Sequence, residues 1–306
     1  MRQNTVVDGQ AIRTLSPNGS RSEFFGQEVQ MLPPFMTDGR NTAEVFLSNM
    51  DYARVGGAVI VQEIIDGLQN NYLSEVQQKY PNRFFCYGMP EMRVEMQHQQ
   101  GLGSAFEQSQ QLLDMGFRGL AFPGHRLFAP GSGIDINSPE MMDIYHLLEQ
   151  RGAFLSMCLY EGDYHVARMR EIIKECPDLK IVIGHFGMVT VPGWKEQIRL
   201  AEAKNVYIES GGITWLFNSE FYPYPSAIRA IRFAADEVGI RKLMWGSDYP
   251  RTITAITYRM SYDFIERDAS GLLTEGEKRA FLGENAERLY GMHNLPMLPY
   301  IKNMSE

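Results

Sequence analysis

The chain has 306 residues, of which 44% are hydrophobic and 22% are charged, and both fractions are ordinary for a globular protein with a full core. Its 37 acidic and 29 basic side chains give a formal net charge of −8, which argues against nucleic acid or an anionic membrane as the main partner. The three cysteines are scattered and no apolar run reaches the length of a membrane span. The sequence therefore predicts a reduced, cytoplasmic chain without a disulfide framework or a membrane anchor.

Eight short apolar runs alternate with helical patterns along the chain. They lie at residues 5–8, 57–62, 83–89, 117–123, 153–160, 180–187, 205–210 and 242–248. Their hydrophobicity is nearly continuous rather than alternating, as expected for parallel strands that are covered on both faces. Eight strand–helix units in a chain of this length predict a (β/α)8 TIM barrel that forms a single domain over residues 1–306. An open doubly wound sheet is the alternative, but no glycine-rich dinucleotide turn follows the first strand.

Two segments do not belong to a simple strand–helix repeat. Residues 9–40 are too long for the usual connection after strand one, so they predict a long loop that is either a lid over the active-site face or a packed excursion. The tail at residues 273–292 predicts an extra C-terminal helix. Between the strands, helical spacing is present at residues 163–176, 193–204, 224–238 and 252–268.

Polar and ionisable side chains are concentrated at the predicted carboxyl ends of the strands, where the catalytic residues of a (β/α)8 barrel lie. The candidates are Asp8, Gln10, Gln62, Glu63, His125, Arg126, Tyr160, Glu161, His185, Glu209, Asp248 and Arg251. For His185, a ligand or acid–base role competes with that of a hydrogen-bonded core histidine. For Asp248, a functional carboxylate competes with a cap for the helix near residue 252.

Three stretches carry a resemblance to a known family: IVIGHFG, LMWGSDYP and the tail LTEGEKRAFLGENAERLYGM. Together they resemble the amidohydrolase-related (amidohydrolase 2) branch of the amidohydrolase superfamily, over most of the chain from residue 56 to residue 292. That branch includes sugar-lactone and pyrone-dicarboxylate lactonases and related decarboxylases. The resemblance implies a metal-type TIM barrel whose ligands are two histidines on strand one, one histidine on strand five or six, and an aspartate on strand eight.

The sequence departs from that pattern at the metal ligands. The first strand of the family carries Asp-x-His-x-His, whereas the matching stretch VVDGQAI keeps Asp8 but has Gln10 and Ile12 in place of both histidines. Strand five ends SMCLYEGD, without a histidine at its tip. His185 and Asp248 alone are too few for a catalytic zinc site, which normally has three protein ligands. We therefore expect no metal cofactor.

A rebuilt metal site is the alternative to this expectation. His185 and Asp248 would need a third ligand, and an oxygen-rich set suits Mn²⁺ or Mg²⁺ better than Zn²⁺. The side chains that could supply it are Glu161, Glu209 and Glu63. Such a site would bind its divalent metal weakly.

Without a metal, the retained residues point to proton transfer, and some lactonases of this branch are thought to work in that way. Asp248 is predicted to deprotonate water as a general base. The oxyanion needs a donor, for which the candidates are His185, His125 and Tyr160, and Asp8 could orient one of them.

The remaining strand-end residues predict a substrate-binding role. Arg126 or Arg251 could bind a substrate carboxylate in a bidentate manner, although an exposed salt bridge is an equal alternative for each. Gln10 and Gln62 complete the predicted substrate contacts. The aromatic segment at residues 211–225 predicts a pocket wall or a homo-oligomer contact.

The leading hypothesis is a hydrolase that opens a small sugar-acid or dicarboxylate lactone, so its partner is a carboxylate-bearing small molecule. A lactone isomerase or a decarboxylase on the same barrel is the second hypothesis. The third is a ligand-binding barrel that has lost catalysis together with its metal.

Overall fold

The described part of the chain alternates strands and helices. The computed structural model describes residues 6–11, 21–24, 27–30, 41–64, 67–268 and 270–298, with side chains from residue 41 onward. The strands are β1 (Val6–Ala11), β2 (Arg21–Phe24), β3 (Gln27–Gln30), β4 (Val55–Ile60), β5 (Phe84–Cys86), β6 (Gly119–Phe122), β7 (Phe154–Met157), β8 (Lys180–Ile183), β9 (Val206–Glu209) and β10 (Leu243–Met244). The α-helices are α1 (Ala43–Ala53), α2 (Asn70–Lys79), α3 (Val94–Gln100), α4 (Ala105–Asp114), α5 (Gly124–Leu127), α6 (Pro139–Gln150), α7 (Val166–Glu175), α8 (Trp194–Arg199), α9 (Ile213–Leu216), α10 (Pro225–Val238), α11 (Met260–Glu266), α12 (Glu275–Arg279) and α13 (Asn285–Tyr290). Within these ranges, no helix is long and apolar enough to span a bilayer.

Eight of the strands form two parallel sheets. β1, β4 and β5 pair in that order, and β6 to β10 pair in chain order as a five-stranded sheet. The pairings described in both sheets are parallel, and a parallel bridge between Gly88 and Leu120 connects the chain after β5 to β6. β2 and β3 form an antiparallel pair inside the segment 9–40. The prediction of an α/β chain with parallel strands is confirmed.

An apolar cluster joins the strands to the C-terminal helix α13. It contains Val59, Phe85, Tyr87, Ala121, Phe154, Val182, Met244, Ala286 and Tyr290. The ring centroid of Tyr290 lies 4.8 Å from that of Phe85 and 5.1 Å from that of Phe154. A second and larger apolar cluster packs the helices against the strands. The long continuous apolar runs of the sequence therefore supply strands that are buried on both faces.

β8 and β10 each end four residues before their apolar runs do, the widest margin among the eight parallel strands. β8 ends at Ile183 because His185 and Phe186 adopt φ angles of 56° and 49°, which start a 3-10 turn instead of continuing the extended chain. β10 ends at Met244, and the backbone N–H of the next residue, Trp245, donates to the carbonyl of Phe281 in a π-helical turn. Each early end comes just before a candidate site residue.

Candidate active site

A cavity of about 370 Å³ opens where the parallel strands end. Five consecutive strands, β6 to β10, contribute residues to it from the segments that follow their carboxyl ends. Among the lining residues are the sequence candidates His125, Arg126, Tyr160, Glu161, His185 and Arg251. The structure thus brings together six side chains that were singled out from their positions at strand ends. The volume suits a small organic ligand.

His185 is buried between two groups on opposite edges of its ring. Nδ1 lies 3.1 Å from Sγ of Cys158, and Nε2 lies 3.8 Å from Oδ1 of Asp248. The backbone N–H of His185 donates to Oε1 of Glu209 at 2.9 Å, which fixes the turn that carries the ring. Burial by itself lowers the pKa of His185, but Cys158 and Asp248 outweigh it and raise that pKa well above its usual range. The site therefore favours a charged imidazolium.

Asp248 follows β10 in the left-handed region of backbone conformation, with φ 55°. Only 2% of its surface is exposed. The indole Nε1–H of Trp215 donates to Oδ2 at 2.8 Å, while Oδ1 faces His185. The 3-10 turn that follows begins after Pro250, which occupies the N-cap position, so a cap is not the role of Asp248. Instead, one carboxylate oxygen accepts a hydrogen bond from an indole, and the other faces an imidazole.

Glu209 is a second buried carboxyl beneath His185. It accepts the backbone N–H groups of His185 at 2.9 Å and Gly211 at 2.6 Å. Burial raises the pKa of Glu209 to about 7, although the nearby charge of His185 acts in the opposite direction. A Cβ at Gly184 would lie 2.7 Å from Oε1 of Glu209, and a Cβ at Gly246 would collide with Oε2. Glycine at both positions lets the strand ends close around this carboxyl.

Basic side chains border the cavity. Nε of Arg126 lies 3.2 Å from Oε1 of the buried Glu63, and Nε2 of His125 lies 3.7 Å from Oε2 of the same carboxyl. The guanidinium of Arg251 stacks on the indole of Trp215, 4.4 Å from the ring centroid. Three basic side chains, His125, Arg126 and Arg251, thus line the cavity together with one acidic side chain, Glu161. Such a border suits an anionic ligand.

Of the other predicted site residues, some line the cavity and some do not. Tyr160 and Glu161 line the cavity after β7. Gln62 is buried, and its side-chain amide bonds to the start of α2 and to the backbone after β5. Asp8 and Gln10 lie in β1, but their side chains lie outside the described part of the chain.

Sequence reasoning missed Cys158. The cysteines were considered only as disulfide partners or metal ligands, and none fitted either pattern. Cys158 is the first residue after β7, and the rule that strand ends face the site could have selected it. In the predicted aromatic segment, Trp215 does line the cavity, whereas Phe221 is 76% exposed.

Comparison with known proteins identifies the family. The amidohydrolase family (Amidohydro_2) matches residues 18–292. The chain belongs to the amidohydrolase family. An L-fucono-1,5-lactonase of Burkholderia multivorans is 25% identical over 131 residues, which is 42% of this chain and only 37% of that relative.

Solved structures share the fold of this chain. A probable 2-pyrone-4,6-dicarboxylic acid hydrolase from Acinetobacter baumannii, with citric acid bound, aligns with a TM-score of 0.67 at 19% identity and covers 94% of this chain and 100% of its own. An amidohydrolase from Burkholderia multivorans with bound zinc aligns with a TM-score of 0.65 at 14% identity and covers 95% of this chain and 100% of its own. At these identities the likeness concerns the fold.

The metal that the family implies does not fit the donors described here. Nε2 of His185 and Oδ1 of Asp248 converge to 3.8 Å, but no third His, Cys, Asp or Glu of the described residues completes a group of three with them. Glu161, Glu209 and Glu63, the candidates for a rebuilt site, do not do so. A catalytic zinc ion normally has three protein ligands. A group of three lies elsewhere, between α6 and the end of α7, and consists of His146, Glu149 and Cys176.

Proposed function

We propose that this amidohydrolase hydrolyses the C–O ester bond of a small lactone that carries a carboxylate. The observation that carries the proposal is the buried His185–Asp248 pair beside a cavity that basic side chains border. A cavity of about 370 Å³ has room for a sugar-acid or dicarboxylate lactone. The lactonase and the pyrone-dicarboxylic acid hydrolase among the similar proteins support the same substrate class.

His185 and Asp248 act as one proton-transfer pair in this proposal. His185 lines the cavity, so its ring exchanges the proton with substrate or water. Asp248 is almost fully buried and faces Nε2, so its carboxylate stabilises the imidazolium and holds the ring in orientation. The sequence analysis assigned the base to Asp248 alone, and the geometry supports sharing that task with His185.

The basic border binds and orients the substrate. Arg251 and Arg126 both line the cavity, and a guanidinium can form two parallel hydrogen bonds with a carboxylate. Tyr160 lines the same cavity and is the hydroxyl donor available to a developing oxyanion. A lactone is an activated ester, so its carbonyl depends less on a Lewis acid than an amide carbonyl does.

The same proposal includes the closure of the sheets into one (β/α)8 barrel. The eight parallel strands pair in chain order within each sheet, and the Gly88–Leu120 bridge joins the two arcs. Family membership over residues 18–292 supports this closure, with the helices after residue 273 as additions to the barrel. Most of the segment 9–40, predicted as a lid or a packed excursion, lies outside the described residues.

The test is turnover of L-fucono-1,5-lactone, 2-pyrone-4,6-dicarboxylate and a wider panel of sugar-acid and dicarboxylate lactones, followed by acid release. We expect Asp248→Asn to lower kcat by about a hundredfold or more while the circular dichroism spectrum is retained. Asp236→Asn, on the exposed face of α10, is the matched control and keeps wild-type turnover. Absence of turnover by the wild type on every lactone would overturn the proposed function. Full activity of Asp248→Asn would overturn the proton-transfer assignment alone.

A further inference from the structure

We propose that Cys158 is the nucleophile of this site and that hydrolysis passes through a thioester between its sulfur and the opened lactone. The inference rests on the lactone hydrolysis proposed above and names the group that attacks the carbonyl. It also gives a role to a side chain that the sequence analysis left unused.

The geometry is that of a nucleophile, a base and an orienting acid in line. Sγ of Cys158 lies 3.1 Å from Nδ1 of His185, and the opposite ring nitrogen faces Oδ1 of Asp248 at 3.8 Å. A thiol in hydrogen-bond reach of an imidazole, which a carboxylate or amide orients from behind, is the arrangement of cysteine nucleophiles on unrelated folds. Cys158 and His185 both line the cavity, so the sulfur is accessible to a bound carbonyl.

The strand ends hold the sulfur in this position. Cys158 follows Met157 of β7, which is in register with Ile183 of β8, so the next residues on both strands leave the sheet side by side. A Cβ at Gly184 would lie 2.8 Å from the sulfur, so glycine is what allows this approach. On its other faces the His185 ring lies 6.2 Å from His125 and 6.0 Å from Trp215, between ring centroids. The ring is therefore confined between fixed neighbours.

The other two cysteines differ from Cys158 in their accessibility. Cys176 also has a histidine nearby, with Nδ1 of His146 3.6 Å from its sulfur, but its residue surface is fully buried. Burial raises the pKa of the Cys176 thiol to about 12, and burial raises that of Cys86 further. Neither lines the cavity, whereas Cys158 does. His146 also has an acid on its other ring nitrogen, since its Nε2 lies 3.0 Å from Oε1 of Glu175. Accessibility from the cavity therefore distinguishes Cys158 from Cys176.

The reaction balances with water as the only co-reactant. Sγ of Cys158 attacks the lactone carbonyl while its proton is held on Nδ1 of the His185 imidazolium. The ring C–O bond then breaks, and His185 gives this proton to the departing oxygen, which leaves a thioester, a free hydroxyl and a neutral imidazole. Water next attacks the thioester as Nδ1 of His185 accepts its proton; the C–S bond breaks, its electron pair returns to sulfur, and the imidazolium is restored beside it. The product is the open hydroxy acid, whose carboxyl group ionises to solvent.

The experiment traps the covalent species on the whole protein. Wild-type protein is mixed with 4-nitrophenyl acetate, an ester that acylates accessible nucleophilic thiols, and in a second sample with any lactone that it turns over. Both are quenched in acid and examined by peptide mass spectrometry. We expect a burst of about one 4-nitrophenolate per chain, an acetyl group on the Cys158 peptide, and a thioester adduct of the lactone at the same residue.

Variants complete the test. Cys158→Ala and the near-isosteric Cys158→Ser are expected to lose the burst and to lower lactone kcat by about a hundredfold or more. Cys176→Ala, which removes the other cysteine–histidine contact, is the matched control and keeps both activities. The trapping in the wild type does not depend on whether the variants fold.

The outcomes separate the two proposals. Lactone turnover without an adduct, with Cys158→Ser within a few-fold of wild type, overturns the nucleophile and leaves the proposed function standing. Acetylation of Cys158 without turnover of any lactone overturns the proposed function and leaves the nucleophile standing. A wild type that shows neither turnover nor a burst overturns both.

Discussion

The indole Nε1–H of Trp215 donates a hydrogen bond of 2.8 Å to Oδ2 of the buried Asp248. The same indole carries the guanidinium of Arg251 on its face, 4.4 Å from the ring centroid. Gly212, with φ 75°, makes this possible, because a Cβ there would collide with the indole. One side chain thus connects the acid of the proposed proton-transfer pair to a basic group that borders the cavity.

Trp215→Phe tests that connection. The phenylalanine keeps an apolar wall but removes the donor to a buried carboxylate, a bond worth about 1.5–3 kcal/mol. We expect kcat to fall by about ten- to a hundredfold, with a smaller change in KM. Trp194→Phe is the control, since that indole packs on Phe186 and Phe233 and does not line the cavity. Unchanged kcat in Trp215→Phe would show that the indole bond does not support catalysis.

Arg251 is expected to recognise the charge of the substrate. In Arg251→Met, an apolar side chain replaces the guanidinium on Trp215, so the positive charge and the bidentate hydrogen-bond donor are removed. KM for a carboxylate-bearing lactone should rise by about tenfold or more, whereas KM for the methyl ester of the same lactone should change little. Steady-state kinetics on the acid and the ester measure this difference. Equal losses on both would contradict carboxylate recognition by Arg251.

The raised pKa of Glu209 predicts that the free energy of unfolding depends on pH. Its pKa is raised from 4.5 to about 7 in the folded chain, so between these values the folded state binds more protons than the unfolded state. The stability that this group contributes is fully present below pH 4.5 and is lost as the pH rises through about 7, up to about 3 kcal/mol in all. Urea unfolding of wild type and Glu209→Gln across this range should show a decline in the wild type that the variant lacks. The exposed Glu171→Gln should keep the wild-type decline, and an unchanged slope in Glu209→Gln would refute the assignment.

Asn285 is expected to stabilise the fold without serving the chemistry. Its Nδ2 donates to the carbonyls of Ile240 and Leu243, at 2.8 Å each, and so ties α13 to the start of β10. Asn285→Ala removes both hydrogen bonds and should lower the free energy of unfolding by about 2 kcal/mol. Urea unfolding measures this loss. Turnover well below the unfolding transition should stay near the wild-type value, and a selective loss of kcat in a stable variant would contradict a purely structural role.

Much of the fold could be predicted from the sequence, because a strand that is buried on both faces is a continuous run of apolar residues. Each of the eight apolar runs overlaps a parallel strand, including the short Leu243–Met244. The ends of β8 and β10 could not be predicted, because they depend on left-handed backbone at His185 and on a hydrogen bond from Trp245 to Phe281, far along the chain.

The residues of the candidate site could be predicted only in part. The strand-end rule selected His185 and Arg251, which depend only on where a strand stops. It did not lead to the contact of Cys158 with His185, because residues 27 positions apart meet only through the register of β7 on β8. The bond from Trp215 to Asp248 depends similarly on the turn into α9. Such pairings are set by tertiary packing, and spacing in the sequence does not encode them.

The most direct test of lactone hydrolysis is the fate of the oxygen atom of water. The wild type is incubated in H₂¹⁸O with the lactone that it consumes, and the product is examined by mass spectrometry. Hydrolysis, with or without a thioester, predicts one ¹⁸O in the new carboxylate and a product heavier than the substrate by one water. A product of unchanged mass without ¹⁸O, as in isomerisation, or one that has lost carbon dioxide, as in decarboxylation, would contradict the account.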